Sequence, residues 1–278
     1  MRDFLTLQEA AERLGVHYMT AYRYVRMGQL TAHKEAGTWR VAVDDLELFQ
    51  HQDGSESSER VSRSTVPWWE RLENRLLEGD AGGAWKVVEA CLTAGAAPLD
   101  VYSTVVAPAL RSIGEKWERD ELSVADEHMA SAVVSRILGR LGPRFSRRGR
   151  RRGTVVVAGP PGERHFLNLC MVADALRMGG YSAVDLGTDL PVEDFESALE
   201  RHLPVAAVCL GVLNREALEG CRAMVAAARR ILPAAVPVIV GGGAVEGDAH
   251  AHRLGADRAA DLGTVVEAVE HGRELPTV

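Results

Sequence analysis

The sequence predicts a multidomain chain of three folded units: a winged helix-turn-helix, a four-helix bundle, and a doubly wound α/β domain with a parallel sheet, Rossmann-like and flavodoxin-like. Three observations predict it. Residues 4 to 49 hold two short amphipathic helices around a glycine turn, then a hairpin pattern. Residues 66 to 142 read as helical with only short breaks, and beyond residue 153 short apolar runs alternate with helical ones. The expected boundaries are 1–50, a linker at 51–64, a bundle at 65–145 and a sheet domain at 153–278.

Composition sets the bounds. With 278 residues, 46% hydrophobic and 26% charged, the chain is of ordinary globular type and long enough for two or three domains. A formal net charge of −7 gives no global attraction to nucleic acid. Cys91, Cys170, Cys209 and Cys221 show no CxxC spacing and sit in apolar patterns, so they are expected reduced and structural. No apolar run approaches the length of a membrane span and no leader pattern opens the chain, so a cytoplasmic location is expected.

In the first unit, Thr6-Leu7-Gln8-Glu9 starts a helix with a capping box, Leu7, Ala10, Ala11 and Leu14 share a face, and Gly15 stops it. His17 to Met27 makes a second helix with Ala21 and Val25 inward. Leu30 to Val41 then reads as a hairpin before a last helix at Val43 to Phe49. Over nearly its whole length this unit resembles DNA-binding domains of the excisionase/MerR type. The resemblance implies a second helix in the major groove, with Tyr18, Thr20, Tyr22 and Arg23 near bases and Arg26, Lys34 and Arg40 near phosphates of a double-stranded operator. Residues 1 to 50 carry six Lys/Arg against seven Asp/Glu, so binding rests on a local patch. The Ser-rich, aperiodic residues 51 to 64 read as a flexible linker.

The bundle is expected as segments 66–78, 81–94, 98–119 and 123–141, with a kink at Pro108. Ser123 and Asp126 form a capping-box pattern that puts Glu127 and His128 in the opening turns of the last helix, opposite Trp117 at the end of the one before. Six arginines between 143 and 153 read as a solvated hinge, with a phosphate or acidic partner as the alternative.

In the last unit, the apolar run Thr154 to Ala158 leads into Gly162-Glu163-Arg164-His165-Phe166-Leu167-Asn168 and a helix to Met178. Strands follow at Tyr181 to Gly187, Val205 to Leu210 and Val236 to Val240, the last ending in Gly241-Gly242-Gly243. A loop between strand and helix is the ligand-facing edge of such a sheet. A neutral imidazole at His165 suits a borderline transition metal, and a carboxylate at Glu163 can hold its other ring nitrogen.

This arrangement resembles the cobalamin-binding domain of methionine synthase and its relatives, whose Asp-x-His-x-x-Gly loop ligates cobalt from below. The resemblance implies His165 as metal ligand and Glu163 behind it. Asn168 takes the place of the loop glycine, Gly211-Val212-Leu213 that of a Ser-x-Leu, and Gly241, Gly242 and Gly243 line the nucleotide tail. Trp117, Glu127 and His128 resemble the cap of light-dependent cobalamin repressors of the CarH type. There an indole walls the adenosyl group, a carboxylate accepts ribose hydroxyls and an imidazole lies beside them. In that type a histidine can follow the tryptophan and take the upper cobalt position after illumination. Here the residue is Glu118, which leaves a carboxylate, water or His128 as occupant.

The expected function is therefore a cobalamin-dependent transcriptional regulator, a repressor and not an enzyme, that binds adenosylcobalamin, responds to light and assembles as a dimer or tetramer. Alternatives are a light-insensitive cobalamin or redox sensor, a haem sensor on the same fold, a corrinoid methyl-carrier subunit and a cofactor-free dimerisation module.

Overall fold

The computed structural model describes residues 4–14, 21, 25, 30–35, 38–46, 49, 67–146 and 149–272. They fall into two compact units, Met1–Val66 and Pro67–Val278.

In the first unit, β1 (Phe4–Thr6) runs straight into α1 (Leu7–Leu14), and β2 (His33–Glu35) pairs with β3 (Thr38–Ala42). The Thr6 N–H donates to Glu9 Oε2 at 2.7 Å and the Glu9 N–H to Thr6 Oγ1 at 3.3 Å, which closes the expected capping box. Strand order is β1-β3-β2, all antiparallel, with Leu5 opposite Val41 and His33 opposite Arg40. The third strand, β1, was not expected, because three residues are too short to display alternation. Leu7, Ala10, Ala11, Ala21, Leu30, Val41 and Leu46 make the core, so the periodicity of the first helix and the inward Ala21 agree with the sequence reading. The helix expected at 17 to 27, apart from helical Ala21 and Val25, and the linker at 51 to 64 lie outside the described residues.

The second unit begins with the bundle: α2 (Trp68–Leu77), α3 (Ala81–Thr93), α4 (Pro98–Val101), a π-helical turn (Tyr102–Val106), α5 (Ala107–Glu118) and α6 (Val124–Leu141). Leu72, Leu76, Val88, Val105, Ile113, Val134 and Ile137 interlock at its centre. Asp80 caps α3 by accepting from the Gly83 N–H at 2.8 Å. A kink was expected at Pro108; the irregularity lies just before it, where the Ala107 N–H reaches back five residues to the Tyr102 carbonyl. Proline at 108 has no N–H for the Thr104 carbonyl and its ring crowds that oxygen, and a widened turn relieves both.

After a short 3₁₀ turn (Gly142–Phe145) comes the sheet domain. Its elements are β4 (Thr154–Ala158), α7 (Phe166–Met178), β5 (Ser182–Asp185), α8 (Val192–Arg201), β6 (Ala207–Gly211), α9 (Leu218–Ile231), β7 (Val238–Gly241), α10 (Asp248–Arg253), β8 (Arg258–Ala259) and α11 (Val265–Gly272). The sheet is fully parallel in the order β5-β4-β6-β7-β8, the flavodoxin-like order. Four strands were read from the sequence; the fifth, β8, is two residues long and its helix α10 six, both too short to show a period. Strands β4 and β6 are buried on both faces, as their unbroken Val, Ala, Cys and Leu runs require. The chain reverses direction of travel across the sheet between them, so the loops after β4 and β6 diverge and leave a crevice.

Candidate functional site

The crevice is built on one carboxylate. Gly162, at φ +86°, turns the loop after β4 and donates its N–H to Asp189 Oδ1 at 2.8 Å, which sends the Glu163 side chain inward. Glu163 is 1% exposed, and both its oxygens are doubly used. Oε1 accepts from the His165 N–H at 2.8 Å and faces His165 Nδ1 at 2.5 Å, while Oε2 accepts the N–H groups of Leu213 at 2.5 Å and Asn214 at 3.0 Å. One acid thus ties the loop after β4 to the loop after β6. Burial raises the Glu163 carboxyl, but hydrogen bonds from His165, Asn214 and Leu213 outweigh it and hold the group at about 2.

His165 sits at the N-cap of α7 with its side chain 57% exposed. Glu163 takes Nδ1, so Nε2 is the nitrogen left to face outward. The hydrogen bond to Glu163 raises the imidazole against desolvation, and the charges of Glu163, Glu127 and Glu118 raise it further. The last two stand on the bundle, so its acidic end and His165 belong to one electrostatic neighbourhood.

That end is the turn between α5 and α6. Asp120, at φ +57°, reverses the chain, and Ser123 caps α6 by accepting the Asp126 N–H on Oγ at 3.2 Å while its own N–H donates to Asp126 Oδ2 at 2.9 Å. Trp117 is 45% exposed there, unlike a core tryptophan. Glu127 accepts from Ser131 Oγ at 2.6 Å, and His128 Nε2 lies 3.7 Å from Glu127 Oε2 with its side chain well exposed. Exposed Val124 and Phe166 add apolar surface on the two elements that carry these groups.

The structure draws Glu163, His165 and Leu213 into one hydrogen-bonded unit, Leu213 through its backbone. Asn168 follows in the first turn of α7, half-buried. At Gly211 an added Cβ would stand 2.5 Å from Leu169 Cδ2, at Gly241 2.0 Å from the Ala260 carbonyl oxygen and at Gly242 2.3 Å from that of Val212. At these positions the space is filled by the protein itself; at Gly243 nothing lies within 4 Å. Tyr18, Thr20, Tyr22, Arg23 and Arg26 lie outside the described residues, as does the side chain of Lys34 in β2, while Arg40 is half-buried in β3. Sequence reasoning missed Asn214 and Asp189, whose contacts cross loops distant in the chain. Phe166 it could have found, as an apolar residue directly beyond the candidate ligand.

These residues fit a corrin. A carboxylate-held imidazole offers a free nitrogen to cobalt, and exposed aromatic and aliphatic side chains suit a flat apolar macrocycle.

Residues 68–141 and 153–270 match two families, each described as B12 binding domain, and residues 4–53 match a helix-turn-helix domain family. The two B12 binding domain matches thus fall on the helical bundle and on the flavodoxin-like sheet. A helix-turn-helix match stands ahead of both, and the chain is similar to a repressor described as HTH-type. It is 34% identical over 164 residues, 59% of its length, to the HTH-type transcriptional repressor CarH of Myxococcus xanthus, and covers 52% of that protein. It is 23% identical to monomethylamine corrinoid protein 2 of Methanosarcina acetivorans over 51% of its length and 67% of the relative's. The chain spans about half to two-thirds of the length of these curated relatives. The structure of the Methanosarcina barkeri monomethylamine corrinoid protein shares the fold, with a TM-score of 0.64 at 20% identity over 75% of this chain and 98% of that one. Among the described residues no helix is long and apolar enough to cross a membrane.

Proposed function

We propose that this protein is a transcriptional repressor that binds adenosylcobalamin between its bundle and its sheet domain, and that loss of the adenosyl group in light changes its assembly and its grip on an operator. The observation that carries the reading is the His165 imidazole fastened through Nδ1 to a buried carboxylate. Adenosylcobalamin, when bound, supplies a light-labile cobalt–carbon bond.

The protein's residues do the rest. His165 would hold the cobalt through Nε2, and Glu163 fixes the tautomer and direction of the ring. Trp117 would wall the adenosyl group, Glu127 would accept its ribose hydroxyls and His128 would flank them. Residues 4–49 supply a single small DNA-binding module, and one such module holds DNA weakly, with Kd on the order of 10⁻⁴ to 10⁻⁶ M for non-specific contact at physiological salt. Joining modules multiplies affinity by about 10² to 10⁴, so assembly state decides occupancy. The ligand acts through its differential affinity for the two arrangements of the bundle.

Glu118 favours a second reading, a light-insensitive sensor of the corrinoid, since the residue after Trp117 is not an imidazole. One experiment separates them. The full chain is loaded with adenosylcobalamin in darkness, desalted, and followed by absorption, solution mass and operator binding before and after illumination. Retained corrin with a change in mass and DNA binding supports the light-responsive repressor, retained corrin with neither leaves the light-insensitive sensor, and no retained corrin removes both.

A further inference from the structure

The helical run that carries Trp117 in its last turn and the helix that follows His165 meet at one buried polar contact remote from both residues. Tyr102, fully buried, donates its hydroxyl to Asp174 Oδ2 at 2.9 Å. The other Asp174 oxygen accepts from Arg177 Nη1 at 2.8 Å, and Arg177 Nη2 donates to the Ala183 carbonyl in β5 at 3.3 Å. Phe145 stacks on the Tyr102 ring, centroids 4.7 Å apart and planes 20° from parallel. Burial, then the Asp174 charge, raise the phenol well above its usual range, so it remains a donor. Among the described residues this carboxylate, shared with Arg177, is the phenol's hydrogen-bond partner. Elsewhere α6 and α7 meet mainly through apolar side chains such as Leu138, Leu141, Leu167 and Met171, which fix distance better than register.

Position along the two helices gives the contact its meaning. Asp174 lies nine residues after His165 on the helix that His165 caps, roughly 13 Å along its axis. Tyr102 opens the π turn, and Trp117 lies fifteen residues further on. A π turn takes in one residue more than the equivalent α turn, so α5 beyond Val106 is rotated by about 100° from where an unbroken α-helix would place it. A rotation of that size decides which side of α5 carries Trp117 and Glu118, and the Glu118 charge is one that reaches His165.

We propose that the Tyr102–Asp174 hydrogen bond and the π turn beside it set the register in which α5 presents Trp117 and Glu118 toward the His165 side of the site, which makes Tyr102 and Asp174 positioning residues for the face of the corrinoid site opposite His165. The proposal rests on the corrinoid reading and deepens it. It assigns discrimination between upper-face ligands to a contact that touches none of them.

The test uses the full chain as Tyr102→Phe and with Thr104, exposed within the π turn, deleted to restore α spacing. Dissociation constants are measured for adenosylcobalamin in darkness and for aquacobalamin, whose upper face carries only water. A positioning role lowers the preference for the adenosyl form by about fivefold to tenfold in Tyr102→Phe, and further in the deletion, while the absorption band of the His165-ligated corrin persists. A merely structural role lowers the unfolding midpoint and weakens both corrinoids in parallel, and that result, or an unchanged ratio, overturns the proposal. If the deletion does not fold, Tyr102→Phe decides alone. Failure of the unaltered chain to bind either corrinoid is the separate outcome that removes the site and this proposal with it.

Discussion

Nδ1 of His165 lies 2.5 Å from Oε1 of Glu163, and the other oxygen of that buried carboxylate holds the Leu213 N–H, fifty residues further along the chain. The imidazole is therefore oriented by both loops that flank the crevice. Neither loop can move without disturbing the ring.

Glu163→Gln tests that coupling. A carboxylate accepts from all four donors, whereas an amide has one accepting oxygen and turns an NH₂ group toward N–H donors on its other side. At a position 1% exposed, the unsatisfied donors should lower folding stability by about 1–3 kcal/mol, read from denaturant unfolding. On the proposed ligation of a corrin by His165, the same variant should weaken the absorption band of the ligated corrin. A variant as stable as the parent with an unaltered spectrum would show that the two loops are held by something else.

The low pKa of Glu163 makes stability depend on pH in a stated direction. Its folded value of about 2 lies below the ordinary 4.5, so the folded state binds the proton less readily than the unfolded state. The contribution is complete above the ordinary value and disappears as pH falls from about 5 to about 2. Its size is on the order of 3 kcal/mol, counted once for the Glu163–His165 pair. Denaturant midpoints should therefore fall across that window in the parent chain and change less in Glu163→Gln. Parallel curves for the two proteins would assign the acid sensitivity to other groups.

The adjacent glycines after β7 have different reasons to be glycine. Gly242 has φ +105°, and its missing Cβ leaves room for the Val212 carbonyl. Alanine there must relieve both strain and overlap, at a cost of at least about 2 kcal/mol. Gly243 has nothing within 4 Å, and alanine should change stability by no more than about 0.5 kcal/mol. Comparable losses at both positions would mean that the turn after β7 is not held as described.

Sequence patterns disclosed the elements whose periods are long enough to register. The apolar run of β4, the amphipathic face of α1 and the Ser123–Asp126 box each obey a local rule, and each lies where that rule puts it. Loop identity was legible too: the acid two residues before His165 does hold the ring. What stayed hidden depended on groups brought together by the fold. Asn214 meets Glu163 across fifty-one residues and Tyr102 meets Asp174 across seventy-two, and no periodicity encodes such pairs. The π turn was half visible, since Pro108 marked the defect but not the side on which the helix would yield.

Gly211 is a case where a reading from the residue alone is incomplete. Its lack of a hydroxyl suggests a lost contact to a ligand, but the structure gives a packing reason first: an added Cβ would lie 2.5 Å from Leu169 Cδ2, and Leu169 is buried in the core between β4 and α7. Gly211→Ser alone should therefore cost about 1–3 kcal/mol through overpacking. Leu169→Ala alone should cost about 2–5 kcal/mol by leaving a cavity. Together they should cost less than the sum by at least about 1 kcal/mol, because each substitution supplies what the other lacks. Unfolding midpoints of the four proteins measure the coupling. Simple additivity would show that Leu169 can move aside unaided, and the glycine would then have to be explained by what lies beyond the end of β6.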